Sequence, residues 1–131
     1  MGYRGDYTTS IHSLLGDVLA YVDIDEVNNQ ILLTTKNGRT VRVYHHQECC
    51  ETVRIRDTEG DWHDLIGKVI VETSYSQSKD VDPPSGDPES WTLTELKFRV
   101  DDSTVINRWI GESNGAYSES VDFEDVPKWR N

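Results

Sequence analysis

The sequence predicts an all-β, mainly antiparallel protein with one or two short helical turns, built as a pseudo-twofold duplicated β-sandwich or a small barrel. Apolar and polar residues alternate along most segments, whereas helical periodicity is nearly absent. In addition, the stretch from Ile11, IHSLLGDVLAYVDI, aligns without a gap on the stretch from Trp62, WHDLIGKVIVETSY, at a constant offset of 51 residues. Such a repeat constrains the architecture, because each copy supplies one supersecondary unit.

Each half is predicted to begin with a short helical turn, in the segments SLLG and DLIG. The residues from Thr8 to Ser10 and the pair Gly60-Asp61 precede these turns as possible N-caps. The closing glycines, Gly16 and Gly67, are expected to end the turns in a left-handed conformation.

Alternation then predicts about four strands in the first half. One face of the first strand and of its second-half equivalent is expected to carry Val18, Ala20, Val22, Ile24 and Val69, Val71, Thr73, Tyr75. A hairpin follows, in which QILLTT and TVRVY flank Asn37-Gly38, a pair suited to a tight two-residue turn with positive φ. The segment TVRIR from Thr52 completes the set.

The second half repeats this plan around a long polar loop, SKDVDPPSGDPES, with strands in SWTLTELKFRV, STVINRWI and YSESVDF. Trp91 and Trp109 fall at strand positions and are expected in the core, while Trp129 in the charged tail is expected to be exposed. The tripeptide ETV from Glu51 is echoed by ESV from Glu119, and alternation turns Glu119 toward the apolar face of its strand.

The length of 131 residues fits one domain, residues 1–131, made of pseudo-repeats 11–57 and 62–125. The ends, residues 1–10 and 127–131, are expected to be flexible. The net charge of −11 argues against direct binding to a nucleic-acid backbone or an anionic membrane surface. No apolar run approaches the roughly 20 residues that span a bilayer, and no leader segment is recognisable. We therefore expect a soluble protein that stays in the cytoplasm.

The segment YHHQECCE holds the densest set of soft metal ligands in the chain. A zinc site would use His45, His46, Cys49 and Cys50. However, strand alternation sends His45 inward and His46 outward, and it splits the two cysteines in the same way. We therefore favour one buried and one exposed residue of each type, no cofactor, and two free thiols in a reducing compartment.

Two irregular loops, residues 45–51 and 111–119, occupy counterpart positions in the two halves. Polar loops on a rigid sheet often carry recognition. The best candidates for contacts with a ligand or partner are His46, Glu48, Asn114 and Tyr117. An alternative is that SNG is simply a good turn and that Tyr117 is a core aromatic residue. No motif of a known catalytic constellation is present, so no catalytic residue is assigned.

The stretches YHHQECCETVRIRDTEGDWHDLIG and RWIGESNGAYSESVDF resemble a family of small uncharacterised proteins found largely in bacteriophage genomes. The resemblance extends from about Leu15 to Val126 and rests on the motifs YHxQ[DE]CCE, DLIG and SNGxYSESVDF. It implies a phage-encoded protein that acts in the host cytoplasm, and it brings no established activity.

The leading hypothesis is a non-enzymatic binding or accessory protein, acting for example in counter-defence. Its partner would be a host or phage protein or a small polar ligand, and the oligomeric state is left open. One alternative is a metal-binding module or metal-dependent hydrolase that uses the HHQECC segment and zinc. A second alternative is an acidic mimic of nucleic acid, which would require carboxylates gathered on one face.

Overall fold

The computed structural model of the protein describes residues 9–84, 86 and 88–127. Most of the predicted flexible ends, residues 1–8 and 128–131, and also Trp129, lie outside the described residues. Two 3-10 turns span Ile11–Leu14 and Trp62–Leu65. The eight strands are β1 (Leu19–Asp25), β2 (Gln30–Thr35), β3 (Thr40–Tyr44), β4 (Thr52–Glu59), β5 (Glu72–Ser78), β6 (Ser90–Arg99), β7 (Thr104–Ser113) and β8 (Asp122–Asp125).

The strands form two four-stranded antiparallel sheets, with the orders β1-β2-β3-β8 and β4-β7-β6-β5. The predicted all-β class with short helical turns is confirmed. Of the two architectures considered, the sandwich is correct, since the strands in the described part of the chain do not close into a barrel. One core cluster, which draws buried residues from both sheets and both 3-10 turns, fills the interior.

The fourth strand of each half lies in the sheet of the other half. Strand β4 pairs with β7, where Val53 is opposite Gly111. Strand β8 pairs with β3, where Phe123 is opposite Val43. Each half supplies the same order of one 3-10 turn and four strands, which fits the predicted duplication. The two halves are therefore interlocked, and neither can complete a sheet alone.

The two 3-10 turns bind the opposite halves through a reciprocal pair of hydrogen bonds. The amide of Gly16 donates to the carbonyl of Ile70, and the amide of Gly67 donates to the carbonyl of Leu19, both at 2.8 Å. Both glycines have a positive φ, 86° and 83°, so the predicted left-handed ends of the turns are confirmed. A contact repeated with its partners exchanged is the signature of twofold symmetry.

The predicted N-caps are also confirmed. The side chain of Ser10 accepts from the amide of His12, and that of Asp61 accepts from the amide of His63, each at 2.9 Å. The two imidazole rings differ, because His12 bonds the hydroxyl of Thr73 whereas His63 faces Asp61. The equivalence of the two histidines therefore lies in the backbone of the turn.

The core contains the predicted Trp109, which is fully buried, whereas Trp91 is half-buried and donates its indole N–H to the carbonyl of Val81. Phe98 packs its ring against that of Trp62, with the ring centroids 5.5 Å apart. The aromatic residues thus join the second sheet to the second 3-10 turn.

The predicted face of the first strand and of its second-half equivalent is correct for Val22, Thr73 and Tyr75, which are buried or pack against the core. It is wrong for the residues that precede them. The register of β1 against β2 shifts after Leu19, which leaves Ala20 as an extra, exposed residue. A bulge of this kind turns the residues on its two sides onto opposite faces, so Leu19 is buried in place of its predicted neighbours. In the second half Ile70 is buried, whereas Val69 and Val71 are 49% and 43% exposed. Both valines precede β5, where ladder alternation does not yet apply.

The predicted two-residue turn at Asn37-Gly38 is wrong in its length. Thr35 and Arg39 are joined by a backbone hydrogen bond of 2.7 Å, so the turn holds three residues. Gly38 has a φ of 90°, but among the described residues Asn29 is the only non-glycine with a positive φ. A type I turn followed by a left-handed glycine needs no positive φ at its asparagine.

Leu14 and Leu65 hold equivalent positions in the two 3-10 turns, and both are fully buried. We expect Leu14→Ala and Leu65→Ala each to lower the free energy of unfolding by about 2 to 5 kcal/mol, because each leaves a cavity in the shared core. The control is Leu15→Ala, at a site 46% exposed, with a loss within about 0.5 kcal/mol. Urea unfolding measures the free energy of unfolding of all three variants. A loss in only one of the two variants Leu14→Ala and Leu65→Ala would contradict the shared core.

Candidate functional site at the crossing loops

The exchange of the fourth strands makes two connecting loops cross each other. These crossing loops are residues 45–51, between β3 and β4, and residues 114–121, between β7 and β8. The amide of Ser118 in one loop donates to the carboxylate of Glu48 in the other at 2.9 Å. The amide of His46 donates to the carboxylate of Asp122, just beyond the second loop, at 2.8 Å. The two loops predicted as counterparts therefore lie in direct contact. The predicted bounds of the second loop, residues 111–119, are wrong, because residues 111–113 belong to β7 and the loop continues to residue 121.

A buried ionisable pair lies at the crossing. The side chains of His45 and Glu51 are 4% and 0% exposed, and Nε2 of the imidazole lies 2.6 Å from Oε2 of the carboxylate. The other ring nitrogen, Nδ1, lies 2.7 Å from the carbonyl oxygen of Ser120 in the second loop. Both partners are hydrogen-bond acceptors, and they belong to different loops. The imidazole therefore joins the carboxylate of loop 45–51 to a carbonyl of loop 114–121.

The carboxylate of Glu51 is also held by its own loop. It accepts hydrogen bonds from the amides of Glu48 and Cys49, at 2.8 and 2.9 Å. Burial raises the pKa of Glu51, but the bonds from Glu48, His45 and Cys49 lower it by more, to about 2. The carboxylate therefore stays ionised in the interior, and loop 45–51 is wrapped around it.

Glu119 is a second buried carboxylate, in the other loop. Its side chain is 5% exposed and lies 3.4 Å from the ammonium of Lys79. It also accepts from the hydroxyls of Thr92 and Ser113. Burial raises the pKa of Glu119, yet the hydrogen bonds from Ser113 and Thr92 leave it lower than the ordinary value. The prediction that Glu119 faces the interior is confirmed.

Sequence reasoning did not identify Glu51 as a buried anion. The available signal was the ETV and ESV echo, since Glu51 immediately precedes β4 and Glu119 lies three residues before the start of β8. A glutamate on an apolar face is buried only where hydrogen-bonding or charged partners accompany it. Those partners, a histidine in one half and hydroxyls in the other, could not be assigned from spacing alone.

Close packing fixes loop 114–121 against β7. A Cβ added at Gly111 would lie 2.7 Å from the carbonyl oxygen of Glu119 and 2.9 Å from its Cβ. Only glycine therefore allows this approach, which seats the buried glutamate beside the strand.

Two polar clefts open beside loop 114–121, and Tyr117 lines both. The larger cleft, of about 270 Å³, is lined by Gln77, Lys79, Ser90, Thr92, Gly115, Tyr117, Ser118, Glu119 and Ser120. The smaller cleft, of about 200 Å³, is lined by Cys50, Thr52, Pro88, Glu112, Ser113, Asn114 and Tyr117. The hydroxyl groups and the half-buried phenol give both clefts groups that can donate and accept hydrogen bonds.

All four predicted contact residues lie in the crossing loops. His46, Glu48 and Asn114 are exposed, and Tyr117 is half-buried between the clefts. Glu48 also holds the second loop, and Asn114 accepts from the amide of Ala116 in a local turn. Their role in binding stays a prediction.

The four residues of the zinc hypothesis do not converge in this structure. His45 is buried with both nitrogens hydrogen-bonded, while His46 is exposed. Cys49 and Cys50 share a disulfide bond, so the prediction of two free thiols is wrong here. The prediction that one cysteine points inward is also wrong, because the chain leaves β3 after Tyr44 and alternation ends there. Among the described residues, no three His, Cys, Asp or Glu side chains are grouped to hold a metal ion.

Removing the charge of Glu51 tests the buried pair. We expect Glu51→Gln to lower the free energy of unfolding by about 3 to 5 kcal/mol, because it breaks the buried pair and places an amide N–H where a carboxylate oxygen accepted hydrogen bonds. The matched control is Glu119→Gln, with an expected loss of about 1 to 2 kcal/mol. Lys79 beside it is 69% exposed and stays hydrated. Equal losses in chemical denaturation would show that the carboxylate of Glu51 contributes no more to stability than that of Glu119.

The lowered pKa of Glu51 also predicts a pH dependence. A depressed pKa contributes stability that is fully present above the ordinary value of 4.5 and is lost as the pH falls toward about 2. The difference in unfolding free energy between wild type and Glu51→Gln should therefore shrink across that window. Denaturant titrations at a series of acidic pH values measure it, and a constant difference would contradict the shift.

Comparison with known proteins gives one family and no closer relative. No curated protein and no solved structure matches the chain. Within its described residues the structure has no helix with the length and apolar character needed to cross a membrane. One family profile matches residues 12–123, a range that includes both 3-10 turns and both crossing loops. The chain therefore belongs to the family described as Domain of unknown function (DUF7448).

Proposed function

We propose that this chain is a non-enzymatic binding protein whose recognition surface consists of the crossing loops and the two clefts beside Tyr117. The observation that carries this proposal is the way in which the loops are held. A buried pair, His45 and Glu51, joins one loop to the other through Ser120. Loops that are ordered before binding lose little conformational entropy when a partner docks.

The larger cleft supports a polar partner. Lys79 presents a mostly exposed ammonium, and Tyr117 presents a ring with a hydroxyl group. Four further hydroxyls line the same cleft, from Ser90, Thr92, Ser118 and Ser120. Such a lining fits a polar loop of a host or phage protein, or a small polar ligand, that forms several hydrogen bonds and packs on the phenol ring.

The charge around the crossing loops favours a partner with a basic surface. Glu48 is exposed, and Asp122 lies close by. The chain as a whole carries −11. Complementary charge speeds association and loses its effect as salt screens it.

We propose a non-enzymatic role because the buried ionisable groups of the crossing loops already have hydrogen-bond partners within the protein. A general acid or base must reach the proton of a substrate. The carboxylate of Glu119 already accepts from Thr92, Ser113 and Lys79. The imidazole of His45 bonds at both nitrogens and is buried. These groups therefore support the structure of the loops.

A role inside an infected bacterial cell, as a phage-encoded accessory or counter-defence factor, belongs to the same proposal. It is supported by the resemblance of the YHHQECCE and SNGAYSESVDF segments to small phage proteins. An acidic protein with a preformed polar surface is suited to engaging a basic surface of a host protein.

The two alternative functions receive less support. For zinc, Cys49 and Cys50 would first have to be reduced. For nucleic-acid mimicry, carboxylates on the outer face of the second sheet would have to be available. Arg108 instead forms ion pairs with Asp57, Glu59 and Glu95. Elemental analysis of reduced protein without a histidine tag separates zinc binding from the proposed function.

Replacing the tyrosine between the clefts tests the proposal. Wild type, Tyr117→Ala and the control Val27→Ala, at a 90% exposed site in the β1–β2 turn, are immobilised and exposed to host lysate. Partners retained by wild type are then identified and their affinities measured with purified protein. We expect Tyr117→Ala to weaken binding at least about tenfold, as for an aromatic anchor, and Val27→Ala to have no effect. Equal affinities for all three proteins would remove the clefts from the recognition surface.

A further inference from the structure

We propose that Cys49 and Cys50 form a reversible thiol–disulfide exchange site whose redox state controls how firmly the crossing loops are held. Both cysteines are exposed, and they are joined to each other by a disulfide bond. Cys50 lines the smaller cleft together with Asn114 and Tyr117. A small thiol therefore has direct access to a sulfur atom at the recognition surface. This inference goes beyond the proposed function and does not depend on the identity of a partner.

The cysteine pair is coupled to the buried carboxylate of Glu51 through the backbone. The amide of Cys49 donates to Oε1 of Glu51 at 2.9 Å. The side-chain amide of Gln47 donates to the carbonyls of both Cys49 and Glu51, at 3.1 and 2.7 Å. The peptide between the two cysteines is thus part of the loop that surrounds the anion.

Opening the disulfide changes the freedom of this peptide. A bond between the sulfur atoms of adjacent residues closes a small ring that contains the peptide linking Cys49 to Cys50. Breaking that bond restores backbone rotations on both sides of the peptide, and the added entropy favours states in which the amide has left the carboxylate. Glu51 then loses one of its donors, and its hold on His45 and thereby on loop 114–121 weakens.

The chemistry requires a low-molecular-weight thiol and its disulfide as the redox partner. A thiolate attacks Sγ of Cys50, the bond between the two cysteine sulfurs breaks, and the sulfur of Cys49 leaves as a thiolate that takes up a proton. A second thiol attacks the mixed disulfide at Cys50 and releases the oxidised small molecule. In total, two thiols are oxidised to one disulfide while the protein gains two electrons and two protons. The reverse sequence restores the bond.

The first measurement establishes the exchange. Wild-type protein is equilibrated with mixtures of reduced and oxidised glutathione, free thiols are alkylated, and intact mass reports the number of thiols. We expect a two-electron transition in which the disulfide and dithiol forms are both populated. A single form at every ratio of reduced to oxidised glutathione would overturn the proposal.

The second measurement establishes the coupling. Hydrogen exchange is followed at the amides of Cys49 and Ser118 in the disulfide and dithiol forms, and we expect reduction to speed it at least about tenfold. The amides of Gly16 and Gly67, which bond outside the crossing loops, should not change. A double variant, Cys49→Ser with Cys50→Ser, should not respond to glutathione. Unchanged exchange at Cys49 and Ser118 in wild type would refute the coupling, whatever partner the clefts bind.

Discussion

The fourth strand of each half completes the sheet of the other half, and this exchange forces the two connecting loops to cross at close range. Polar backbone that is brought together in this way must be hydrogen-bonded, because an unsatisfied group in the interior costs more free energy than a typical hydrogen bond contributes. The protein meets this requirement with a buried histidine and a buried glutamate. His45 reaches across to the carbonyl of Ser120, and Glu51 gathers the amides of its own loop. Glu51 lies directly before β4, and Ser120 lies two residues before β8, so the pair is placed where both exchanged strands begin.

The twofold scaffold carries two unlike solutions to the same local problem. Glu51 has an imidazole as its partner and is fully covered, whereas Glu119 has hydroxyls and a lysine that is largely in water. The first arrangement closes the surface, while the second leaves two clefts open beside Tyr117. The symmetric parts of the molecule therefore supply the framework, and the surface suited to recognition arises where the halves differ.

The sequence predicts the local features of the fold well, since each depends on a few neighbouring residues. Ser10 and Asp61 cap the 3-10 turns, and Gly16 and Gly67 end them, because the chemistry of such ends is local. The strand exchange could not be predicted, because alternation is the same whichever sheet receives β4. The bulge at Ala20 was missed for the opposite reason, since one extra residue leaves no mark on composition.

In the candidate site, too, the sequence predicts what depends on neighbouring residues and misses what depends on tertiary contacts. The counterpart positions of loops 45–51 and 111–119 follow from the repeat, whereas their contact follows from the strand exchange. His45 was expected to turn inward because it lies two residues after Val43. The partner of His45 depends on how residues 46–50 fold, and no periodicity governs that segment. The cysteines were misjudged for this reason as well. Chain direction beyond the end of a strand is set by tertiary contacts, and these contacts come here from the other half.

The exchange of strands also has a consequence for biosynthesis. Val43 in β3 pairs with Phe123 in β8, and Val53 in β4 pairs with Gly111 in β7, so both pairings join residues far apart in the chain. The N-terminal part of the chain leaves the ribosome first. The edge of β3 that pairs with β8 therefore stays unpaired until nearly the whole chain has been translated. Contacts so distant in sequence slow folding and prolong the exposure of unpaired strands. The early chain has little net charge to keep nascent molecules apart during that time, because residues 1–57 contain eight acidic and six basic residues.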